Sequence, residues 1–223
     1  MPAPTPTSTA PRPTARTWAI AVAACALVAA AGAAGAWYFW HPARPAPLPD
    51  YGEVPTFALP DQTGGVLDDG WLRGHVTIVD FVFTRCDTIC PVLSMKMERL
   101  AATTDDVGAD VRLLSFSVDP AYDTPEVLAT YAAHYHADPA RWRFVTGEYD
   151  AVKAMIEGAL MTAMEDRGVR PTGAPDIKHG GNFLLIDRDL HIRGTYDSND
   201  ADRLAALARD VRRLVAAPAT ATR

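Results

Sequence analysis

The run Thr84-Arg85-Cys86-Asp87-Thr88-Ile89-Cys90-Pro91 places two thiols four positions apart. The chain has one further cysteine, Cys25, inside an apolar stretch near its start. A single pair at such short range is no structural disulfide framework; it is a redox couple or a metal site. Val76–Phe83 (VTIVDFVF) just before it is apolar and β-branched, as expected of a buried central strand, and a helix is expected over Cys90–Ala101. The pair therefore falls at the carboxyl edge of a strand and the start of a helix, where open α/β sheets hold their ligands. Unpaired N–H groups and the helix dipole favour thiolate over thiol there. Two thiolates on an exposed loop can close into a disulfide or grip a soft ion.

Spacing separates these chemistries. Thiol oxidoreductases of the thioredoxin class have two residues between their cysteines, and this chain has three, which leaves the sulfurs freer to open around a metal. Thiolates suit Cu(I), and a mixed thiolate–imidazole set also holds Cu(II). Among six histidines, His41 lies in a proline-rich spacer, His75 precedes a strand, His134 and His136 end a helix and His191 belongs to a hairpin. Only His179 stands in a Gly-flanked loop feeding a strand, where it reads as a ligand or as an ordinary loop residue. Met95 and Met97 carry copper-binding thioethers, but their helical spacing fits core packing. Asp119 and Asp123 either form an acidic rim or end a strand and open a turn.

The elements needed to position these groups can be read in order. Phe57–Leu59 and Val66–Leu67 flank Asp61-Gln62-Thr63-Gly64-Gly65 as a hairpin. After the first strand and helix come a buried strand over Val111–Val118 and a helix over Pro125–His136, with Thr124 as N-cap and Pro125 at its first position. A short strand over Trp142–Val145 follows, with Trp142 in the core, and then a helix over Tyr149–Met161. Phe183–Ile186 and His191–Tyr196 form a hairpin around Asp187-Arg188-Asp189, and Ala201–Ala216 is an amphipathic helix. The alternation makes the domain α/β.

Ahead of it, Trp18–Trp40 holds no charged residue and is long enough to cross a hydrocarbon core of roughly 30 Å. Aromatic residues flank it, and Arg12 and Arg16 precede it, which puts the N-terminus inside and the remainder outside. Two other readings are a cleaved signal peptide and a lipobox at Val22-Ala23-Ala24-Cys25; the apolar run is long for either. All three carry the domain to the extracytoplasmic, periplasmic side. The organisation expected is a disordered cytoplasmic tail over 1–17, a transmembrane anchor over 18–40, a Pro-rich spacer over 41–49, the folded domain over 50–217 and a disordered tail over 218–223. A net charge of −6 without a basic cluster excludes a nucleic-acid binder.

Phe83-Thr84-Arg85-Cys86 through Cys90-Pro91 resembles the signature of the Sco/SenC family. So do Ser117-Val118-Asp119-Pro120-Ala121-Tyr122-Asp123-Thr124-Pro125 and Lys178-His179-Gly180-Gly181-Asn182-Phe183-Leu184-Leu185-Ile186-Asp187, in the family's order and separation. The resemblance implies a thioredoxin-like fold with an N-terminal hairpin and an inserted strand–helix pair, tethered by one helix. It implies copper ligation by Cys86, Cys90 and His179. It also implies delivery of that copper to a membrane cytochrome c oxidase subunit carrying a copper site, with other copper chaperones or thiol reductants as further partners. Many members have proline after the first cysteine. Asp87 stands here, and a carboxylate at that place is expected to disfavour the Cys86 thiolate. Val79-Asp80-Phe81 is also similar to a thioredoxin strand whose buried aspartate assists proton transfer. The resemblance implies that role for Asp80, against the alternative of a carboxylate satisfied by hydrogen bonds beneath the site.

A second activity open to the same residues is thiol-disulfide reduction by Cys86 and Cys90, keeping the copper-ligand cysteines of a partner reduced. It has no need of His179. A peroxiredoxin-type peroxidase is disfavoured because Val79 and Phe83 occupy its usual proline and threonine positions. A structural zinc site is disfavoured because only three donors are evident.

Overall fold

The structure is a computed structural model and describes residues 15–40, 46–154, 165–169, 175–178 and 181–217. It divides into two units, Met1–Pro47 and Leu48–Arg223. Most of the 1–17 tail, part of the 41–49 spacer, the end of the helix expected to reach Met161, His179 and the 218–223 tail lie outside the described residues.

In the first unit α1 runs from Ala15 to Trp40. Its 26 residues span about 39 Å at 1.5 Å per residue. Trp18–Trp37 is long and apolar enough to cross a membrane.

The second unit opens with the antiparallel hairpin β1 (Ala58–Pro60) and β2 (Val66–Asp68). Asp61 organises its turn by accepting the backbone N–H groups of Thr63 and Gly65, and Arg143 pairs with its carboxylate at 2.9 Å. Then come β3 (Val76–Val82), α2 (Ile89–Thr103), β4 (Val111–Ser117), α3 (Pro125–His134), β5 (Trp142–Val145) and α4 (Tyr149–Ala154). The chain continues through β6 (Glu165–Val169), β7 (Pro175–Lys178), β8 (Asn182–Ile186) and β9 (Ile192–Asp197) to α5 (Ala201–Ala216). The central sheet has the order β5-β4-β3-β8-β9. Strands β3, β4 and β5 are parallel, whereas β8 and β9 join antiparallel.

Every residue of β3 is buried, as a central strand covered on both faces must be. Helix α2 packs Cys90, Leu93, Ser94, Met97 and Leu100 inward at helical spacing. Met97 is therefore core, but Met95 is 45% exposed, so the packing expected of both thioethers holds for one. Trp142 is buried, stacks on Phe144 at 5.0 Å and donates its indole N–H to Ser115 Oγ at 2.9 Å. Thr124 caps α3 by accepting the Val127 N–H at 3.4 Å.

The hairpin β6–β7 has no counterpart in the sequence reading. Glu165-Asp166-Arg167-Gly168-Val169 and Pro175-Asp176-Ile177-Lys178 lack both β-branched alternation and a tight-turn signature, so nothing in their composition announces a strand pair.

Candidate metal centre

Strand β3 delivers Cys86 to its carboxyl edge. The Cys86 N–H turns back to the Phe83 carbonyl at 3.1 Å, and the chain enters α2 at Ile89, which makes Cys90 the helix's second residue. Thr88, at the N-cap position, makes no side-chain capping bond. The acceptor that meets the helix start is the Cys86 sulfur, which takes the Cys90 N–H at 3.4 Å and lies 3.5 Å from the Thr88 hydroxyl. Both cysteines are free, without a disulfide between them. They are buried, Cys86 at 6% exposure and Cys90 at 0%. The expectation of sulfurs on an exposed loop is thus corrected: Asp87 and Thr88 between them are exposed, but both cysteines are buried.

The two sulfurs differ in character. Cys86 is lowered to about 4, chiefly because the Cys90 thiol donates to it; burial opposes this, and the Thr88 hydroxyl and the Cys90 and Thr88 N–H groups assist. Cys90 is raised, because its proton is held by the Cys86 sulfur, because it is buried, and because the charges of Cys86 and Asp80 lie near. The pair therefore holds one proton and one negative charge, a soft donor ready to bind. Asp87, expected to disfavour the Cys86 thiolate, stands directly beside it. Its side chain is exposed, where water screens it.

Asp80 lies in β3, fully buried, and neither carboxyl oxygen has a hydrogen-bond partner among the described residues. Burial pushes it up to about 7; the Ser115 hydroxyl, on the residue paired with it in β4, moderates the rise. Ser115 is thus the group nearest to satisfying the Asp80 carboxyl, and burial outweighs it.

Asp119 and Asp123 serve the cysteine loop from the next β–α connection. Asp119 accepts the Arg85 guanidinium through Nε at 2.9 Å and Nη2 at 2.7 Å. The same guanidinium lies 4.3 Å above the Tyr122 ring. Asp123, fully buried, accepts the Thr84 N–H at 3.2 Å together with the hydroxyls of Thr84 and Ser117. Burial raises both carboxyls, offset at Asp119 by Arg85 and at Asp123 by Ser117 and Thr84. These aspartates are neither a rim nor mere strand ends; they tie down the two residues that precede Cys86. Sequence reading singled out both aspartates but missed Thr84, Ser117 and Thr88. Adjacency to the motifs was their one signal.

His179 lies outside the described residues, and among the described ones no cluster of three or more His, Cys, Asp or Glu could hold a metal ion. The topology nevertheless restricts where its neighbours fall. Strand β8 pairs antiparallel with β3, Val79 opposite Leu184, so β8 begins at the edge where β3 ends in the cysteine loop. Gly181, which leads into β8, lies close to Ile89 at the start of α2: a Cβ on it would stand 2.9 Å from Ile89 Cδ1.

Fold and site together define a thioredoxin-like domain that carries a buried, singly protonated dithiol at the first turn of its first sheet-packed helix. The family model SCO1/SenC matches residues 47–216, and the chain belongs to that family. The SCO1 protein homolog of Bacillus subtilis (strain 168) is 33% identical over 145 residues, which cover 65% of this chain and 74% of that protein. The structure of BsSco, a member of the Sco family of cytochrome c oxidase assembly proteins with a disulfide switch, superposes with a TM-score of 0.66 at 27% identity. It covers 78% of this chain and 100% of its own. Bradyrhizobium japonicum ScoI with copper bound shares the fold, with a TM-score of 0.63 at 22% identity over 73% of this chain and 99% of its own.

Proposed function

We propose that this chain is a membrane-tethered copper carrier that binds one copper through Cys86, Cys90 and His179 and passes it to a copper site of a membrane cytochrome c oxidase. The observation that carries the reading is the Cys86 sulfur accepting the Cys90 N–H at 3.4 Å, at the sheet edge where the strand following His179 begins; the Cys90 thiol and this N–H lower the Cys86 pKa and favour its thiolate. Thiolates and a neutral imidazole suit Cu(I) and tolerate Cu(II). A site of three ligands can also be exchanged one ligand at a time, as transfer requires. Membership of a family whose member BsSco assembles cytochrome c oxidase supports the destination. Helix α1, with Arg16 in its first turn, supports an anchor whose N-terminus is cytoplasmic and whose domain is extracytoplasmic. The test is titration of the reduced full chain in detergent with Cu(I) and Cu(II). One equivalent binds to the wild type, and Cys86→Ser and His179→Ala each lose it; binding unchanged in either variant removes that residue from the site.

A second reading is favoured by the asymmetry of the two thiols. The Cys86 thiolate attacks a partner's disulfide, forming a mixed disulfide and releasing one partner thiolate. Cys90 then gives its proton to Asp80 and attacks Cys86. An intramolecular disulfide forms, the second partner thiol leaves, and two electrons have moved to the partner. Reduction of an oxidised two-cysteine copper-site peptide by His179→Ala separates the readings, because this route makes no use of imidazole.

A further inference from the structure

Gly181 occupies a place that no other residue type fits without moving its neighbours. A Cβ there would lie 2.9 Å from Ile89 Cδ1 and 3.3 Å from Ser198 Oγ. The Ser198 backbone is pinned at both of its polar groups. Its N–H donates to the Gly181 carbonyl at 2.9 Å, and its own carbonyl accepts the Lys96 ammonium at 2.7 Å. Its side chain is buried, with the hydroxyl lacking a partner among the described residues. The yielding atom is the tip of Ile89, the first residue of α2 and the immediate neighbour of Cys90.

We infer that Gly181 is a positioning residue for the thiol pair. Its missing side chain lets the chain that follows His179 rest on Ile89, and Ser198 with Lys96 locks that contact onto α2. Ile89 is thereby held, and with it the Cys90 N–H that meets the Cys86 sulfur at 3.4 Å. The joint also ties the β8 end of the segment that contains His179 to the helix that contains Cys90. Crowding at 181 falls on Ile89 and so on the helix turn that carries Cys90. This inference deepens the copper reading and rests on it for its ligand, but the geometry it concerns belongs to the dithiol itself.

The test exploits the identity of the clashing atom. Ile89→Val deletes Cδ1 and little else, so it relieves a methyl placed at 181. Two readouts are taken on the full chain in detergent. One is Cu(I) affinity by competition with a chromophoric chelator. The other is the metal-free equilibrium Cys86-SH + Cys90-SH + GSSG ⇌ intramolecular disulfide + 2 GSH. Gly181→Ala is expected to weaken Cu(I) binding about tenfold and to move the glutathione equilibrium by at least about threefold, by overpacking. Gly181→Ala/Ile89→Val is expected to return both to within about threefold of Ile89→Val alone. Gly181→Ala indistinguishable from wild type overturns the inference, as does a double variant that recovers neither readout. Should Gly181→Ala fail to fold, recovery of folding and of both readouts in the double variant supports the joint, and its absence rejects it. Should the wild type bind no copper, the copper reading falls and the glutathione equilibrium alone judges Gly181.

Discussion

The Cys86 sulfur accepts the Cys90 backbone N–H at 3.4 Å, so one cysteine caps the helix that carries the other. The cap gives the first turn of α2 the acceptor that Thr88 does not supply, and it gives the sulfur a partner that prefers negative charge.

Alkylation reads this relationship directly. An ordinary thiol reacts about tenfold faster per pH unit below its pKa of roughly 8.5, because only the thiolate attacks. With Cys86 lowered to about 4, its iodoacetamide rate in the reduced protein should be flat between about pH 6 and pH 8, with Cys90 left unlabelled. Cys90→Ala removes the leading cause of the shift, so its profile should regain a slope toward neutral pH. Peptide mass spectrometry follows both sites, and a wild-type rate climbing tenfold per unit would refute the capped thiolate.

Elements whose signals are local were legible from residues alone. The burial of β3 followed from a β-branched run that is apolar apart from Thr77 and Asp80, the start of α3 from Thr124 and Pro125, and α5 from its amphipathic period; β6–β7 had no such run to show. The site was legible as a list of donors, since Cys86 and Cys90 declare themselves by spacing. Its covering was not. Thr84 reaches Asp123 across 39 positions and Arg85 reaches Asp119 across 34, and no periodicity encodes such contacts. For the same reason the burial of the sulfurs and of the Asp80 carboxyl emerged only with the tertiary fold.

Asp80 makes stability depend on pH with a definite sign. Its pKa rises from 3.8 to about 7 on folding, so the neutral carboxyl is the form the fold tolerates. Relative to the unfolded chain, that preference is fully present below about 4 and is lost as the pH climbs through about 7. Asp80→Asn cannot ionise. The stability of Asp80→Asn minus that of wild type should therefore grow between pH 4 and pH 8 by up to about 4 kcal/mol, following the shift of about three pKa units. Urea unfolding at both values measures it, and a difference independent of pH would mean that Asp80 is ionised without penalty.

Arg85 and Asp119 form a pair whose members are unequally exposed, Arg85 at 29% and Asp119 at 6%. Removing the cation strands a buried carboxylate, whereas neutralising both partners strands nothing. Arg85→Leu should cost about 1–2 kcal/mol, discounted for the exposure of the guanidinium, and Arg85→Leu/Asp119→Asn should recover at least half of it. Denaturation midpoints of the two variants decide, and additive losses would show that the pair is not coupled.

Asp123 is the firmer of the two ties, because it is wholly buried and receives one backbone N–H and two hydroxyls. Asp123→Ala leaves the Thr84 N–H and the Ser117 hydroxyl without an acceptor in a dry place, and each such orphan costs about 1–3 kcal/mol. Asp123→Asn keeps one carbonyl oxygen and should lose less. The thiol pair should feel the loosening too, since Thr84 stands two residues before Cys86: alkylation of Cys90, negligible in the wild type, should become measurable in Asp123→Ala. A variant that is destabilised by about 2 kcal/mol or more while Cys90 stays fully protected would make Asp123 a determinant of the fold alone and not of the sulfur geometry.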